Sequence, residues 1–135
     1  LNKDNRIVGF LWHQGEHDAF EQAWLSYKDR YQFYYDNLMK IFTDYLSRYN
    51  RFSFPIIAGE FVNEWADKNK VACDAVEQAT KDVLAKLNVG EVASSEGLLS
   101  NNQVVGNNDD IHFSRSGIIE LSNRYYELFK KYFEK

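Results

Sequence analysis

The hydrophobic pattern changes its period several times along this chain, and each change marks the boundary of an element. Residues 7–12 (IVGFLW) are a continuous apolar run without polar alternation, which is typical of a strand buried on both faces of a parallel sheet. Between residues 19 and 50 the apolar residues recur every three or four positions, which predicts a helix. Asp18 and Glu21 form a candidate capping box for it, with an irregular loop over its first part as the alternative. The predicted apolar face of this helix consists of Tyr27, Tyr31, Tyr34, Leu38, Ile41, Tyr45 and Tyr49.

The middle of the chain repeats this order of strand and helix. Residues 54–59 form the second predicted strand, with the only proline near its start, where a missing N–H is tolerated. Residues 60–67 are predicted to be a loop. Residues 68–87 form the next predicted helix, whose apolar side carries Val71, Ala75, Val76, Ala79, Val83 and Leu87.

The last third of the chain predicts one more strand and one more helix. Residues 90–94 form a short third strand, and residues 95–110 are polar and rich in Asn and Gly, which indicates a loop. Ser114 or Ser116 caps a final helix that runs to about residue 133. Its apolar stripe consists of Ile118, Leu121, Tyr125, Leu128 and Tyr132.

Strands that alternate with helices predict an α/β fold with a parallel sheet between two helical layers. Doubly wound sheets usually carry about five strands or more, so three strands make an incomplete sheet with unpaired edges. We therefore expect further strands from residues outside this sequence. The first residue is Leu1, which indicates either processing or a segment of a longer protein, and localisation is left open.

Composition narrows the class of protein. The 135 residues are 44% hydrophobic and 16% aromatic, enough for a substantial core in one domain or part of one. The net charge is −4 with interspersed signs, so we expect no nucleic-acid partner. No apolar run approaches the roughly 18 residues that span a bilayer, so no membrane partner is expected. The single cysteine, Cys73, permits no internal disulfide and is predicted to be buried.

One candidate catalytic string, residues 13–16 (HQGE), directly follows the first predicted strand. Ligands of open parallel sheets bind beyond the carboxyl ends of the strands. Gly15 permits a sharp turn and a close approach of substrate to its N–H. The Gln14 amide can donate to a developing oxyanion, and the alternative is a loop amide that satisfies backbone groups.

A second candidate string, residues 109–114 (DDIHFS), opens the final helix. Asp109 can place its carboxylate beside Nδ1 of His112, which fixes the tautomer and leaves Nε2 free to act as a base. Glu16 is a rival for that role. The alternative is a capping aspartate with a surface histidine. The two strings together indicate part of a hydrolase, but they supply no nucleophile.

Metal sites are a weaker interpretation of the same residues. In the zincin pattern two histidines bracket one helical turn with glutamate second, whereas here the glutamate is fourth and Gly15 interrupts the turn. Residues 107–110 lack the ligand spacing and the final glutamate of a calcium loop. We therefore predict no metal and no organic cofactor. The residues concerned in the first cluster are His13, Glu16, His17 and Asp18.

Residues 10–16 (FLWHQGE) followed by residues 109–114 resemble the SGNH-type carbohydrate esterases of the sialate O-acetylesterase and acetylxylan esterase group. Residues 55–59, 95–98 and 124–126 also stand in the order of that group, so the resemblance covers nearly the whole chain. It implies a three-layer flavodoxin-like fold and hydrolysis of acetyl esters on carbohydrates through a serine acyl-enzyme. Many members are secreted or periplasmic.

The resemblance also implies roles for individual residues. His112 would be the general base, and either Glu16 or Asp109 would be its partner. Gln14 would donate to the oxyanion, with Gly15 and His13 in substrate or oxyanion binding. No cofactor is implied, and the partner is an acetylated carbohydrate.

The nucleophile of this group lies in a Gly-Gln-Ser-Asn motif ahead of the HQGE block, and no serine of this chain follows a Gly-Gln pair. We therefore expect residues 1–135 to be the C-terminal part of a single esterase domain. The N-terminal half, with the serine, would lie upstream, and this chain alone would be inactive. The alternative is a non-catalytic carbohydrate-binding or structural relative that lost the serine. A metal-dependent hydrolase is a third hypothesis, which chelation would test.

Overall fold

Each strand of the chain is followed by two helices. The computed structural model describes residues 4–20, 25–49 and 54–134. In chain order they contain β1 (Phe10–Trp12), α1 (Glu16–Phe20), α2 (Tyr27–Arg48), β2 (Ile56–Gly59), α3 (Asn63–Lys68), α4 (Lys70–Leu87), β3 (Gly90–Ala93), α5 (Asn101–Val105) and α6 (Arg115–Lys130).

The three strands form one parallel sheet in the order β1-β2-β3. Phe10 pairs with Ile56, and Ile56 pairs in turn with Gly90. Helices α2 and α4 pack together on one side of the sheet, and α6 contacts β2 and β3 from the other side. The predicted α/β class is confirmed. Because the strands are parallel, their carboxyl ends at Trp12, Gly59 and Ala93 meet at one edge.

The side chains of the sheet divide between two cores because successive residues of a strand point to opposite faces. The larger core contains Phe42 from α2, Ile56 and Ala58 from β2, and Val83 from α4, all fully buried. Cys73 belongs to this core at 1% exposure, which confirms its predicted burial. The smaller core lies under α6 and contains Val62, Ala93, Leu98, Phe113 and Leu121.

The prediction of a first strand buried on both faces is wrong. Strand β1 has three residues and lies at the edge of the sheet. Phe10 and Trp12 pack against the larger core, but Leu11 is 60% exposed and Val8 is 55% exposed. The physical reason is coverage: among the described residues, α6 packs over β2 and β3 and leaves the outer side of β1 open.

The long helix predicted from residue 19 is shorter than expected. Helix α2 begins after Ser26, whose side chain accepts a hydrogen bond from the Asp29 N–H at 3.2 Å. Glu21, the proposed capping partner of Asp18, lies outside the described residues. The buried row advances strictly by four and consists of Arg30, Tyr34, Leu38, Phe42 and Leu46. The predicted face was wrong at three positions that are exposed, namely Tyr27, Ile41 and Tyr49.

Two predicted loops contain helices. Helix α3 lies in the segment assigned to the 60–67 loop, and α5 lies within the 95–110 loop. Ser100 and Gln103 form a complete capping box at the start of α5, which explains how so polar a segment becomes helical. Ser114 caps α6, as one of the two predicted candidates. Two predicted core residues are exposed instead, Val71 and Ile118.

Candidate active site

The chain turns sharply directly after β1, at a corner that we define as residues 13–16. Gly15 has φ +132° and is buried. A Cβ at this position would lie 2.6 Å from Cγ1 of Val76 and 3.0 Å from Cζ of Phe61. Both the backbone angle and the space therefore require glycine. The turn places Gln14 and Glu16 at the carboxyl edge of the sheet, as the sequence predicted.

His13 extends from the corner toward α6. Its Nδ1 lies 3.1 Å from the Tyr125 hydroxyl, and its Nε2 lies 3.3 Å from Oε1 of Glu16. A Cβ on Gly59 would lie 2.8 Å from His13 Nδ1 and would clash with the Tyr125 hydroxyl, so this glycine makes room for the pair. The imidazole also packs edge-on against the ring of Phe113, with the two ring centroids 5.8 Å apart.

Gln14 lies on the opposite side, toward α2. Its Nε2 donates to Oδ2 of Asp18 at 2.8 Å, and the Tyr34 hydroxyl lies 3.1 Å from its Oε1 and 3.0 Å from its carbonyl oxygen. Burial raises the pKa of Tyr34 to about 12, so this hydroxyl keeps its proton and acts as a donor. One N–H of the Gln14 amide is thereby fixed, and within residues 4–20, 25–49 and 54–134 the second N–H has no acceptor.

His112 and Asp109 form a close pair ahead of α6. Nδ1 of His112 lies 2.7 Å from Oδ1 of Asp109, and the same oxygen accepts the backbone N–H of His112 at 3.2 Å. The imidazole is 73% exposed. Within the described ranges no residue bonds to its Nε2. This is the arrangement in which a carboxylate fixes the Nδ1–H tautomer and leaves Nε2 as an exposed base.

The ionised state of Asp109 is favoured by its surroundings. The amide of Asn101 donates to its Oδ2 at 2.8 Å, and this bond, followed by those from His112, holds the pKa of Asp109 below its usual value. An ionised carboxylate is the form that accepts from an imidazole N–H and stabilises an imidazolium.

The corner and the Asp109–His112 pair lie on one rim. Phe113, the neighbour of His112, packs on His13. Burial opposes the ionisation of Glu16, but its hydrogen bonds and the charges of His13 and His112 outweigh burial and lower its pKa. Of the two candidate partners, Asp109 bonds to His112, whereas Glu16 bonds to His13.

The loop that carries Asp109 is attached to α3 through one carboxylate. Glu64 accepts from Oγ of Ser100 at 2.5 Å, from Nδ2 of Asn102 at 2.8 Å and from Nζ of Lys68 at 3.1 Å. Lys68 also bonds to Oδ2 of Asp110 at 2.7 Å. The bonds from Ser100 and Asn102 contribute most to the lowered pKa of Glu64. Helix α3 therefore holds in place the segment that leads to His112.

The sequence analysis missed three residues of this rim. Asn101 had an available signal, because Ser100 and Gln103 match the capping-box pattern and place it at the first position of a helix. No sequence signal pointed to Glu64, because its segment was assigned to a loop. Tyr125 was assigned to an apolar stripe and to the segment 124–126 of the resemblance, without a role at the site, yet its hydroxyl reaches His13.

Three residues of the hypothetical metal cluster already have hydrogen-bond or ion-pair partners. Glu16 bonds to His13, and Asp18 bonds to Gln14. Across residues 4–20, 25–49 and 54–134, no group of three or more His, Cys, Asp or Glu side chains is arranged to hold a metal ion. In the same ranges no helix is both long and apolar enough to cross a membrane.

Comparison with known proteins decides the family. A family model described as carbohydrate esterase, sialic acid-specific acetylesterase, matches residues 1–131. The chain belongs to this family. The resemblance inferred from the two strings is thereby confirmed, and so is an esterase type of function. Neither the curated proteins nor the solved structures contain a match to this chain.

Proposed function

We propose that this chain supplies the base, its orienting carboxylate and an oxyanion donor of an esterase that hydrolyses acetyl esters on carbohydrates. One observation carries the proposal. Oδ1 of Asp109 lies 2.7 Å from Nδ1 of an imidazole that is 73% exposed, and this pair shares the carboxyl rim of a parallel sheet with the family's corner motif. The family description supports the class of substrate.

In the proposed mechanism a serine hydroxyl attacks the acetyl carbonyl while Nε2 of His112 accepts its proton. The sugar oxygen then leaves with that proton, and an acetyl-serine forms. Water, deprotonated by the same nitrogen, attacks the acetyl-serine and releases acetate, and the proton returns to the serine. Asp109 stabilises the imidazolium at both stages. The free N–H of Gln14 and the Gly15 backbone N–H are the proposed oxyanion donors.

We assign the orienting role to Asp109 rather than to Glu16. Oε1 of Glu16 lies 3.3 Å from Nε2 of His13, whose other nitrogen faces Tyr125. Burial, followed by the charge of Glu16, raises the pKa of Tyr125, so that side chain stays neutral. Glu16 therefore holds His13 and the corner in place.

The serine of this mechanism is proposed to come from a segment outside residues 1–135, the N-terminal half of the same domain. Two exposed surfaces flank the free edge of β1 and support this proposal. On the α6 side, Leu11, Tyr126 and Phe129 line an apolar groove of about 350 Å³. On the α2 side, Trp12 and Phe33 line a groove of about 1080 Å³. An edge strand with apolar grooves on both faces is what a continuing three-layer sheet would cover.

Paired variants of the two adjacent acids test the proposal in the natural polypeptide that contains these residues. Asp109→Asn is expected to lower kcat for acetate release from O-acetylated sialic acid by about 10³- to 10⁴-fold, as in other Ser-His-Asp enzymes. Asp110→Asn removes the same charge one position away, where it bonds to Lys68 instead, and is expected to cost only a few-fold. Equal losses would contradict the assignment of Asp109.

The same assay separates the proposal from its alternatives. The 135-residue chain by itself is expected to release no acetate from a chromogenic acetyl ester. A natural polypeptide that binds the acetylated sugar and never releases acetate would instead establish the non-catalytic carbohydrate-binding relative. Loss of turnover on chelation, with full recovery on addition of a divalent metal, would establish the metal-dependent hydrolase.

A further inference from the structure

The two oxygens of the Asp109 carboxylate have different partners. Oδ1 faces His112 and accepts two hydrogen bonds from it, one from the ring Nδ1 at 2.7 Å and one from the backbone N–H at 3.2 Å. Oδ2 faces away and accepts Nδ2 of Asn101 at 2.8 Å. The rotation of the carboxylate about its χ2 bond is thereby set by a donor on each side, and the donor opposite His112 is Asn101.

Asn101 is itself held firmly. Its backbone N–H donates to the carbonyl oxygen of His112 at 2.9 Å. It is the first residue of α5, and the preceding Ser100 is fully buried, caps the helix and bonds to Glu64. One position further, the N–H of Asn102 donates to the carbonyl oxygen of Asp109 at 2.8 Å. The start of α5 and the Asp109–His112 segment are therefore tied together by backbone bonds, and the Asn101 amide is added to a preformed frame.

His112 has little else to fix its ring. The imidazole is 73% exposed, and within the described residues its only side-chain hydrogen bond is to Asp109. The side chain of Asp109 is 27% exposed, so water is available to compete for its oxygens. A carboxylate that turned toward solvent would release the ring, because an exposed side chain without a partner gains conformational freedom.

We propose that Asn101 is a positioning residue of the esterase, which holds the Asp109 carboxylate in the rotamer that orients His112. The inference rests on the proposed function for its catalytic consequence, but the orientation itself is a property of the chain. The amide acts on His112 only through Asp109. Its physical effect is to keep the Nδ1–H tautomer dominant, so that Nε2 is the unprotonated nitrogen at the rim. The lowered pKa of Asp109, in which the Asn101 bond is the largest contribution, agrees with this arrangement.

Two variants remove the donor in different ways. Asn101→Ala deletes the amide. Asn101→Asp keeps the volume and places a negative charge in the first turn of α5, where it favours helix formation, but it replaces the N–H donor by an oxygen that repels Asp109. Asn123→Ala is the matched control, since it removes the same kind of amide from an exposed position of α6, where it bonds to a carboxylate oxygen of Glu120.

The first readout is the ¹⁵N spectrum of the His112 ring, which reports the tautomer and requires no turnover. In the unmodified protein and in Asn123→Ala we expect Nδ1–H to be the dominant neutral form. In Asn101→Ala and Asn101→Asp we expect that dominance to be lost, with the Nε2–H form becoming the major one. Unchanged tautomer populations in a folded Asn101→Asp protein would overturn the inference.

The second readout is steady-state kinetics of the natural polypeptide. Both Asn101 variants are expected to lower kcat by up to about 10²-fold, as misorientation of a catalytic group does, with KM changed less than about two-fold. A rise in KM at constant kcat would overturn the positioning role. Absence of any esterase activity in the unmodified polypeptide would count against the proposed function alone, because the tautomer measurement stands without it.

Discussion

The substitution Gly15→Ala tests whether the corner after β1 depends on a residue without a side chain. The added methyl group would lie 2.6 Å from Cγ1 of Val76, 3.0 Å from Cζ of Phe61 and 3.1 Å from the Tyr34 hydroxyl. The first of these atoms belongs to the fully buried core of α4 and has no open space to move into. The backbone angle φ is +132°, which residues with a Cβ rarely adopt.

Two costs add at this position. A residue held in a sparsely populated backbone region costs about 1–3 kcal/mol, and overpacking a filled core costs about 1–3 kcal/mol. Alanine also lowers the conformational entropy of the unfolded chain, which stabilises the folded protein by about 0.4–1 kcal/mol. The expected net loss is therefore about 1–6 kcal/mol, a large share of the roughly 5–15 kcal/mol that stabilises an ordinary domain.

Gly106→Ala is the matched control. Gly106 ends α5 with φ +68°, and a Cβ there meets no atom within 4 Å. Only the backbone cost of about 1–2 kcal/mol applies. Urea unfolding of both variants, followed by far-UV circular dichroism, is expected to show that Gly15→Ala loses about 1–3 kcal/mol more than Gly106→Ala. Equal losses would refute the argument that the core fills the space around Gly15.

Two further predictions concern a half-buried carboxyl group and a buried thiol. Burial raises the pKa of Glu77, so its contribution to stability is present at low pH and is lost as pH rises through that raised value. The Phe61 N–H donates to Glu77 at 2.8 Å, and Glu77→Gln keeps an oxygen for this bond. The variant is expected to raise the midpoint of urea unfolding at about pH 7 but not at about pH 3. An equal gain at both pH values would contradict this. Burial also raises the pKa of the Cys73 thiol to about 12, so iodoacetamide is expected to label it only after unfolding. Rapid labelling of the native protein, followed by mass spectrometry, would show that Cys73 is not buried.

The sequence predicted the parts of the fold that depend on the local spacing of apolar residues. The buried row of α4 and the three buried residues at the start of β2 follow from the spacing of apolar residues along the chain. The environment of β1 could not be predicted in the same way. The apolar residues of β1 are those of a strand buried on both faces. Whether Leu11 is buried depends on which elements pack against it, and the local spacing of apolar residues does not specify this.

The candidate site could likewise be predicted from the sequence only in part. The rule for carboxyl ends of parallel strands placed residues 13–16 at the rim. Residues 109–114 open the final helix, and they were joined to the first string by the chemistry of their residues and by the resemblance. The choice between Glu16 and Asp109 required coordinates, since each carboxylate has an imidazole within reach and only distances tell which one. Asn101 and Glu64 act on the site through short helices in segments whose polar composition indicates loops.

The central claim is that His112 activates a serine that lies outside this chain. The most direct test treats the natural polypeptide with a fluorophosphonate and maps the modified peptide by mass spectrometry. The account predicts complete loss of acetate release, one modified serine located outside residues 1–135, and little modification in His112→Ala. Modification of a serine within these residues, or turnover that continues after complete modification, would contradict it.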